Sequence, residues 1–383
     1  MARSKFRRAP RFENLESRQL LSTGVVSQGP SADAQYMLQL LNEARTNPAG
    51  AAQFIKSNIT TNIQDTLNYY GVNLQATLQE IANATPQPPL AWNDQLAQAA
   101  QGHSQDMATN QFQSHTGSDG SSPQQRVAAS GYANATSVGE NAYAYGHSVD
   151  QAMEAFLLDW GVPDGGHRAN IQQPGVSSQN AYRDVGIGLV NAPAGSSVGP
   201  LVVTQDFASQ ANEQAQVVGV AFQDNQGTGF YEVGEGVGGV QITAVNTQTG
   251  QVSSTQTWAS GGYELALAPG QYQLIASVNN QVIASRSISI SNVNVEQDFT
   301  VPNNPTGGPL QNAINAAQPI KTTPAVFYTP IAPQQPQIQA QPQQPQVQIQ
   351  AQPQQPQAQP IQYGSITPAV APVTWNWSRW TAE

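Results

Sequence analysis

The sequence Gly-Gly-His-Arg-Ala-Asn-Ile at residues 165–171 is predicted to form a polar turn after a predicted helix over residues 149–160. Three apolar side chains and one carboxylate share a face of that helix, with spacings of three, four and three residues: Val149, Ala152, Phe156 and Asp159. A carboxylate on an apolar face needs a buried partner or a bound ion. His167, eight residues after Asp159, is a candidate for that partner.

Outward from this stretch, two further segments carry residues suited to acid–base or metal chemistry. His115 lies in a polar turn at residues 114–120, and Glu140 lies in the sequence Gly-Glu-Asn at residues 139–141. All four histidines of the chain lie between positions 103 and 167. Because His103 falls on the apolar stripe of a predicted helix over residues 94–110, we predict that it is a hydrogen-bonded core residue.

Short motifs surround these residues in a characteristic order along the chain. They are Asn-x-x-Arg at 42–45, Leu-Ala-Trp-Asn at 90–93, Gly-Tyr at 131–132, Val-Gly-Ile-Gly at 185–188 and Thr-Gln-Asp-Phe at 204–207. Their order and number resemble the bacterial branch of the CAP superfamily, whose SCP-like domains are related to plant pathogenesis-related proteins and venom allergens. The resemblance implies an α+β fold, the α-β-α sandwich of the CAP fold, for a domain over residues 31–210.

Members of this family carry two histidines and two acidic residues in a central cleft. By position, the resemblance implies that this tetrad is His115, Glu140, Asp159 and His167, with Phe156 in place of the usual tryptophan. We predict that the four side chains converge within about 10 Å, a span that one ion and its waters can bridge. Zinc accepts such nitrogen and oxygen ligands, so the tetrad is a candidate site for Zn²⁺ or another divalent metal. The alternative is a hydrogen-bonded polar cluster that orders the cleft.

Residues 211–303 change from helical to alternating apolar periodicity, with turn signals between the short apolar runs. This pattern predicts a small antiparallel β-sandwich. Six residues in it have the spacing of an EF-hand loop: Asp224, Gln226, Thr228, Phe230, Glu232 and Glu235. The loop and the Gly-Val-Gly-Gly-Val that follows it resemble the SdrD B-like and carboxypeptidase-regulatory-like modules of bacterial surface proteins. The six residues with EF-hand spacing have two interpretations. They form a weak calcium site, or their carboxylates simply lie on a solvated turn.

The two ends of the chain differ from these domains in composition. Residues 1–30 are basic, and Leu-Glu-Ser-Arg-Gln-Leu-Leu at 15–21 resembles the LEPR-XLL motif of exported bacterial proteins. We expect residues 1–30 to be an export leader. The alternative is a disordered basic segment without a targeting signal. Residues 304–383 are rich in Gln and Pro and repeat IQAQPQQPQ at 338–346 and 349–357. Such a sequence buries too little apolar area to offset chain entropy, so we expect a disordered tail.

Composition excludes several classes of function. The net charge of the chain is −10, and six of its 14 basic residues lie in the first 18 positions. The rest of the chain is therefore strongly acidic and would repel the phosphate backbone of a nucleic acid. The chain has no cysteine, which excludes disulfides and thiolate chemistry. It has no run of 18 apolar residues and thus no predicted transmembrane helix. Gly-Ser-Ser-Val-Gly at 195–199 fits the G-x-S-x-G pattern but lies in a predicted loop, where a nucleophile elbow does not form.

These features predict an extracellular or cell-surface protein whose His/acid cleft binds a small ligand, with a divalent metal as one option. Its expected partner is a small molecule, a lipid or a wall component. One alternative is a metal-dependent hydrolase of peptide or cell-wall material that uses the same tetrad. Another is a structural matrix protein. Binding is favoured over catalysis because no nucleophile or recognised catalytic motif accompanies the tetrad.

Overall fold

The computed structural model describes residues 29–162 and 164–319. The LEPR-XLL-like motif and the Gln/Pro repeats lie outside the described residues, so the expectations of an export leader and of a disordered tail over residues 320–383 stay predictions. The disorder predicted from residue 304 is wrong for residues 304–319, because Leu310–Ala317 form a helix. Within the described part of the chain, no helix is both long enough and apolar enough to cross a membrane.

The described residues of the first domain form eight helices and a four-stranded sheet. The helices are α1 (Ala32–Thr46), α2 (Pro48–Asn58), α3 (Thr61–Tyr70), α4 (Leu74–Ala82), α5 (Asp94–Asn110), α6 (Pro123–Ala129), α7 (Val149–Leu158) and α8 (Gly166–Gln172). The strands are β1 (Ala91–Trp92), β2 (Ala135–Gly146), β3 (Asp184–Asn191) and β4 (Leu201–Gln210). The sheet order is β1-β3-β4-β2, in which β1 is parallel to β3 and the other pairs are antiparallel.

Helices cover both faces of this sheet, which confirms the predicted α-β-α sandwich. On one face, Ile187, Val203 and Phe207 join a core built with α1, α2 and α7. On the other face, Val202 and Ala208 contact apolar side chains of α5 and its neighbours. The alternation of side chains along β3 and β4 separates these two cores.

The motifs at residues 42–45 and 90–93 join segments that are distant in sequence. Asn42 donates to the carbonyl of Leu90 over 3.2 Å and accepts from its N–H over 2.8 Å. Asn93 caps α5, because its side chain accepts hydrogen bonds from the N–H groups of Gln95 and Leu96. The first of these motifs therefore fixes α1 against the entry to the sheet, and the second starts α5.

The second domain is a β-sandwich, as predicted. Its strands are β5 (Gln216–Phe222), β6 (Gln241–Asn246), β7 (Val252–Gln256), β8 (Gly262–Ala266), β9 (Gly270–Val278), β10 (Gln281–Ile290), β11 (Val295–Glu296) and β12 (Phe299–Thr300), followed by α9 (Leu310–Ala317). One sheet is antiparallel with the order β10-β9-β6-β7. The other is mixed: β8 is antiparallel to β5, whereas β11 and β12 run parallel to it.

Four local expectations have outcomes in the structure. The polar turn predicted at residues 165–171 is wrong, because residues 166–172 form α8, which Gly165 precedes with a left-handed backbone. The helix predicted to reach residue 160 ends at Leu158, because Asp159 has a left-handed backbone with φ of 53° and caps the helix. The predicted loop at residues 195–199 lies between β3 and β4, outside any helix or strand. His103 is a buried residue of α5 whose Nε2 lies 2.8 Å from the carbonyl oxygen of Ser114, which confirms its predicted core role.

Candidate functional site

Glu140 is the centre of one half of the candidate site. It lies on β2, and its side chain is almost completely buried. His115 Nδ1 lies 2.8 Å from its Oε1 atom, and Arg126 Nη2 lies 2.5 Å from its Oε2 atom. Burial opposes ionisation, but the His115 hydrogen bond and the nearby charges of His103 and Arg126 outweigh it, so the pKa of Glu140 is lowered. Glu140 is therefore an ionised carboxylate with both oxygens engaged.

Asp206 lies directly opposite Glu140 on β4 and is completely buried. Burial and the charge of Glu140 raise the pKa of Asp206 well above its ordinary value. Of the two neighbouring carboxyl groups, Asp206 therefore holds a proton more strongly than Glu140 does. Asp206 was missed as a site residue, although a carboxyl in an apolar strand carries the same signal that drew attention to Asp159.

Arg126 is the second residue that sequence reasoning missed. It lies on α6, and its Nη1 and Nη2 atoms donate to the carbonyl oxygens of Ser121 and His115 respectively, over 2.8 and 3.0 Å. These bonds join the turn that carries His115 to the helix that carries Arg126. The guanidinium therefore orders the His115 turn as well as Glu140.

Asp159 and His167 form the other half of the site. The carboxylate of Asp159 accepts the backbone N–H of His167 at Oδ1 and that of Arg168 at Oδ2, both over 3.1 Å. It thereby satisfies the first free N–H groups of α8. His167 Nδ1 lies 3.0 Å from Oδ1, an ion-pair contact that falls outside hydrogen-bond geometry. The His167 ring also contacts Phe156, with 5.2 Å between the ring centroids.

Two asparagines connect these halves. Asn141, next to Glu140 on β2, donates to the carbonyl of His167 over 3.2 Å. Asn170 of α8 donates to the carbonyl of Glu140 over 3.1 Å and to the side-chain oxygen of Asn141 over 2.9 Å. The structure thus brings His115 to Glu140 and His167 to Asp159, as two imidazole–carboxylate pairs on adjoining elements.

The four side chains do not fit a single metal coordination shell as they stand. Among the residues the structure describes, no group of three or more His, Asp and Glu side chains is arranged to hold a metal ion. The carboxylate oxygens of Glu140 are engaged by His115 and Arg126, and those of Asp159 by the start of α8. The Nε2 atom of each imidazole is free of these contacts and could bind a ligand. The carboxylates would then act from the other side of each ring, where they orient it.

The EF-hand-like loop of the second domain is closed by its own hydrogen bonds. Asp224 accepts the N–H groups of Thr228 and Gly229 over 3.0 and 3.1 Å. Glu235 is buried and accepts those of Asn225 and Glu232 over 2.8 and 3.2 Å. Of the other predicted ligands, Gln226 lies in the same loop and Phe230 contacts Tyr36 of α1, with 6.4 Å between the ring centroids. Calcium binding by this loop stays a prediction.

Comparison with known proteins identifies both domains. Residues 38–207 match the family model of the cysteine-rich secretory protein family, CAP, and residues 227–302 match that of the carboxypeptidase regulatory-like domain. A comparison with curated proteins gives no match.

Three solved structures are similar to parts of this chain. An extracellular protein containing an SCP domain from Bacillus anthracis is 23% identical, with a TM-score of 0.26, over 38% of this chain and 40% of that chain. An outer surface protein from Borrelia burgdorferi is 17% identical, with a TM-score of 0.26, over 40% of this chain and 96% of that chain. A DUF3823 family protein from Bacteroides ovatus is 18% identical, with a TM-score of 0.18, over 23% of this chain and 44% of that chain.

The two family models fit the two folded parts of the chain. The first match covers the helices and the sheet except for the start of α1 and the last residues of β4, and the second match covers the strands from β6 to β12. Residues 38–207 are a CAP domain of the cysteine-rich secretory protein family, and residues 227–302 are a carboxypeptidase regulatory-like domain.

Proposed function

We propose that this chain is an extracellular or surface binding protein whose CAP-domain cleft holds a small ligand through His115 and His167. The observation that carries the proposal is the pair of imidazoles, each with its Nδ1 atom close to a buried carboxylate: 2.8 Å for His115 and Glu140, and 3.0 Å for His167 and Asp159. Neither Nε2 atom forms a hydrogen bond with another described residue, so both are open to a ligand. The secretory name of the matched family supports a location outside the cell.

Binding is favoured over hydrolysis by the state of Glu140. A general base works best when its pKa lies near the operating pH. The pKa of Glu140 is lowered and its oxygens are engaged by His115 and Arg126, so it is a weak base that is already occupied. The geometry therefore suits Glu140 to orienting His115, which is a positioning role.

Zinc is the sharpest probe of the two open imidazoles. We expect the full-length protein to bind Zn²⁺ in an isothermal titration and the His115→Ala/His167→Ala double variant to lose this binding. Glu140→Gln should weaken it by about tenfold, because outer partners of a metal-bound histidine contribute 10- to 100-fold to affinity. His147→Ala is the matched control, since His147 is exposed and lies outside the pairs.

Two results would contradict the proposal. One is zinc binding that is unchanged in the double variant, which would place the ligand elsewhere. The other is metal-dependent cleavage of a peptide or wall fragment by the wild-type protein that is lost in Glu140→Gln. That second result would favour the hydrolase alternative.

A second candidate function is the binding of a small apolar molecule in a separate cavity. The cavity has a volume of about 180 Å³ and lies between α1, α2, α7 and Phe230 of the second domain. Its apolar lining includes Phe54, Met153 and Leu157. Two carboxylates, Glu43 and Glu154, also line it, and Glu154 has a buried Oε1 atom without a hydrogen-bond partner. A ligand with an apolar chain and one hydroxyl would match this lining.

This candidate predicts a pH-dependent interaction with n-hexanol. Burial, and secondarily the charge of Asp150, raise the pKa of Glu154 to about 8, so Glu154 is neutral at pH 6 and charged at pH 9. We expect hexanol to bind at pH 6 and to bind more weakly as the pH rises through 8, because a charged carboxylate resists loss of water. The Glu154→Gln variant should bind equally at both pH values. NMR titrations measure both affinities, and a pH dependence that persists in Glu154→Gln would exclude Glu154 as its source.

A further inference from the structure

A large polar cavity lies at the junction of the two domains, away from the His/acid cleft. Its volume is about 790 Å³, within the range of small-molecule sites. Its walls come from the start of β2, the loop before β3, the end of β4, the connector at 211–213 and Asn292 of the second domain. None of the tetrad residues lines it.

The lining of this cavity is unusual in its chemistry. Apart from Ala211, every lining residue has a polar side chain, and no aromatic ring is present among them. Four amide side chains in the lining form no side-chain hydrogen bond with another described residue: Gln179, Asn180, Asn212 and Asn292. Each amide offers both a donor and an acceptor, which matches the hydroxyl groups of a sugar. A ligand here would be held by hydrogen bonds and not by ring stacking.

Arg183 supplies the positive charge in this wall. Its side chain is 15% exposed, and its Nε and Nη2 atoms are buried without a hydrogen-bond partner. The nearest carboxylate is that of Glu213, which also lines the cavity. It forms a long ion pair with Nε at 3.7 Å and accepts a hydrogen bond from the backbone N–H of Gln210. Unused donors of a guanidinium are costly when buried, and a carboxylate is the group that best satisfies them.

We propose that this cavity binds a saccharide that carries a carboxylate. Arg183 binds the carboxylate, and the free amides around it bind the hydroxyl groups. The site depends on the junction, because the connector and Asn292 complete walls that the CAP domain alone does not have. It is independent of the binding function proposed for His115 and His167.

The test uses the full-length protein and tri-galacturonate, a short sugar chain with three carboxylates. Isothermal titration compares it with its neutral methyl ester and with acetate. We expect saturable binding of tri-galacturonate, at least tenfold weaker binding of the ester, and none of acetate in the same concentration range. Arg183→Gln should reduce the affinity for tri-galacturonate to that for the ester.

Control variants separate this site from the others. The Arg183 side chain forms no hydrogen bond with a described residue, so Arg183→Gln should retain the fold, which thermal unfolding checks. Asn180→Ala provides a second variant and should weaken binding of both sugars. Two control variants should bind tri-galacturonate as the wild type does. One is Arg286→Gln, on the exposed part of β10, and the other is the His115→Ala/His167→Ala variant. Any of three results would overturn the proposal. They are no saturable binding of tri-galacturonate by the wild type, the same affinity for it in Arg183→Gln as in the wild type, and binding of acetate that is as tight as that of tri-galacturonate.

Discussion

Gly186→Ala should destabilise the protein by about 3 kcal/mol or more in chemical denaturation, because it inserts a methyl group between a helix and a strand that are in contact. A Cβ atom at Gly186 would lie 1.9 Å from the backbone nitrogen of Ala97 and 2.0 Å from the carbonyl carbon of Leu96. Both are main-chain atoms of α5, so no side-chain rotation relieves the clash. Strand β3 or helix α5 would have to move.

The same substitution at Gly102 is the matched control. Gly102 is also on α5, and apart from the adjacent backbone of that helix, a Cβ atom there would meet no atom within 4 Å. Gly102→Ala should therefore stabilise the protein by roughly 0.5–1 kcal/mol, the helix-propensity difference between the two residues. If both variants unfolded at the same denaturant concentration, close contact between α5 and β3 would be excluded as the reason for glycine at 186.

This contrast shows what the sequence reveals about the fold. The periodicity of α5 predicts its bounds at 94 and 110, and the structure has the same bounds. The Val-Gly-Ile-Gly motif is visible in the sequence, but the sequence does not show why glycine is needed at these positions. A glycine without a local turn signal indicates close approach of another backbone, and only the fold identifies that backbone as α5.

Pairings between distant strands were also beyond prediction. Alternation identifies short strands in the second domain, yet the parallel pairing of β11 and β12 with β5 depends on a crossover between sheets. Periodicity contains no information about such a crossover. The end of α7 is a similar case. Asp159 has a left-handed backbone there, and its side chain accepts a hydrogen bond from the N–H of His167, which belongs to α8.

At the candidate site, local patterns indicate charged groups in apolar surroundings, but not the partners that neutralise them. The apolar face of α7 draws attention to Asp159, which the structure places 3.0 Å from His167. Arg126 has no such signal, because α6 has only seven residues and the contact of Arg126 with Glu140 spans 14 residues of chain. The pairing of Asp206 with Glu140 depends on strand register, which only the folded sheet defines.

Arg45→Ala should also destabilise the protein by about 3 kcal/mol or more, because it leaves several buried acceptors without donors. Arg45 is completely buried at the end of α1. Its guanidinium donates to the carbonyl oxygens of Pro88, Ile171 and Tyr182 over 2.8, 2.7 and 3.1 Å. Burial lowers its pKa to about 9, so it remains charged at neutral pH and binds these oxygens strongly.

Arg45→Lys separates the geometry of this contact from its charge. The three carbonyl oxygens come from the segment before β1, the end of α8 and the segment before β3, and the guanidinium reaches all of them from one plane. An ammonium is a compact point charge that does not reproduce this arrangement. We therefore expect Arg45→Lys to lose most of the stability that Arg45→Ala loses, with Arg286→Ala on the surface as the unchanged control. Full retention of stability in Arg45→Lys would mean that a buried charge, and not the fork of donors, holds these segments together.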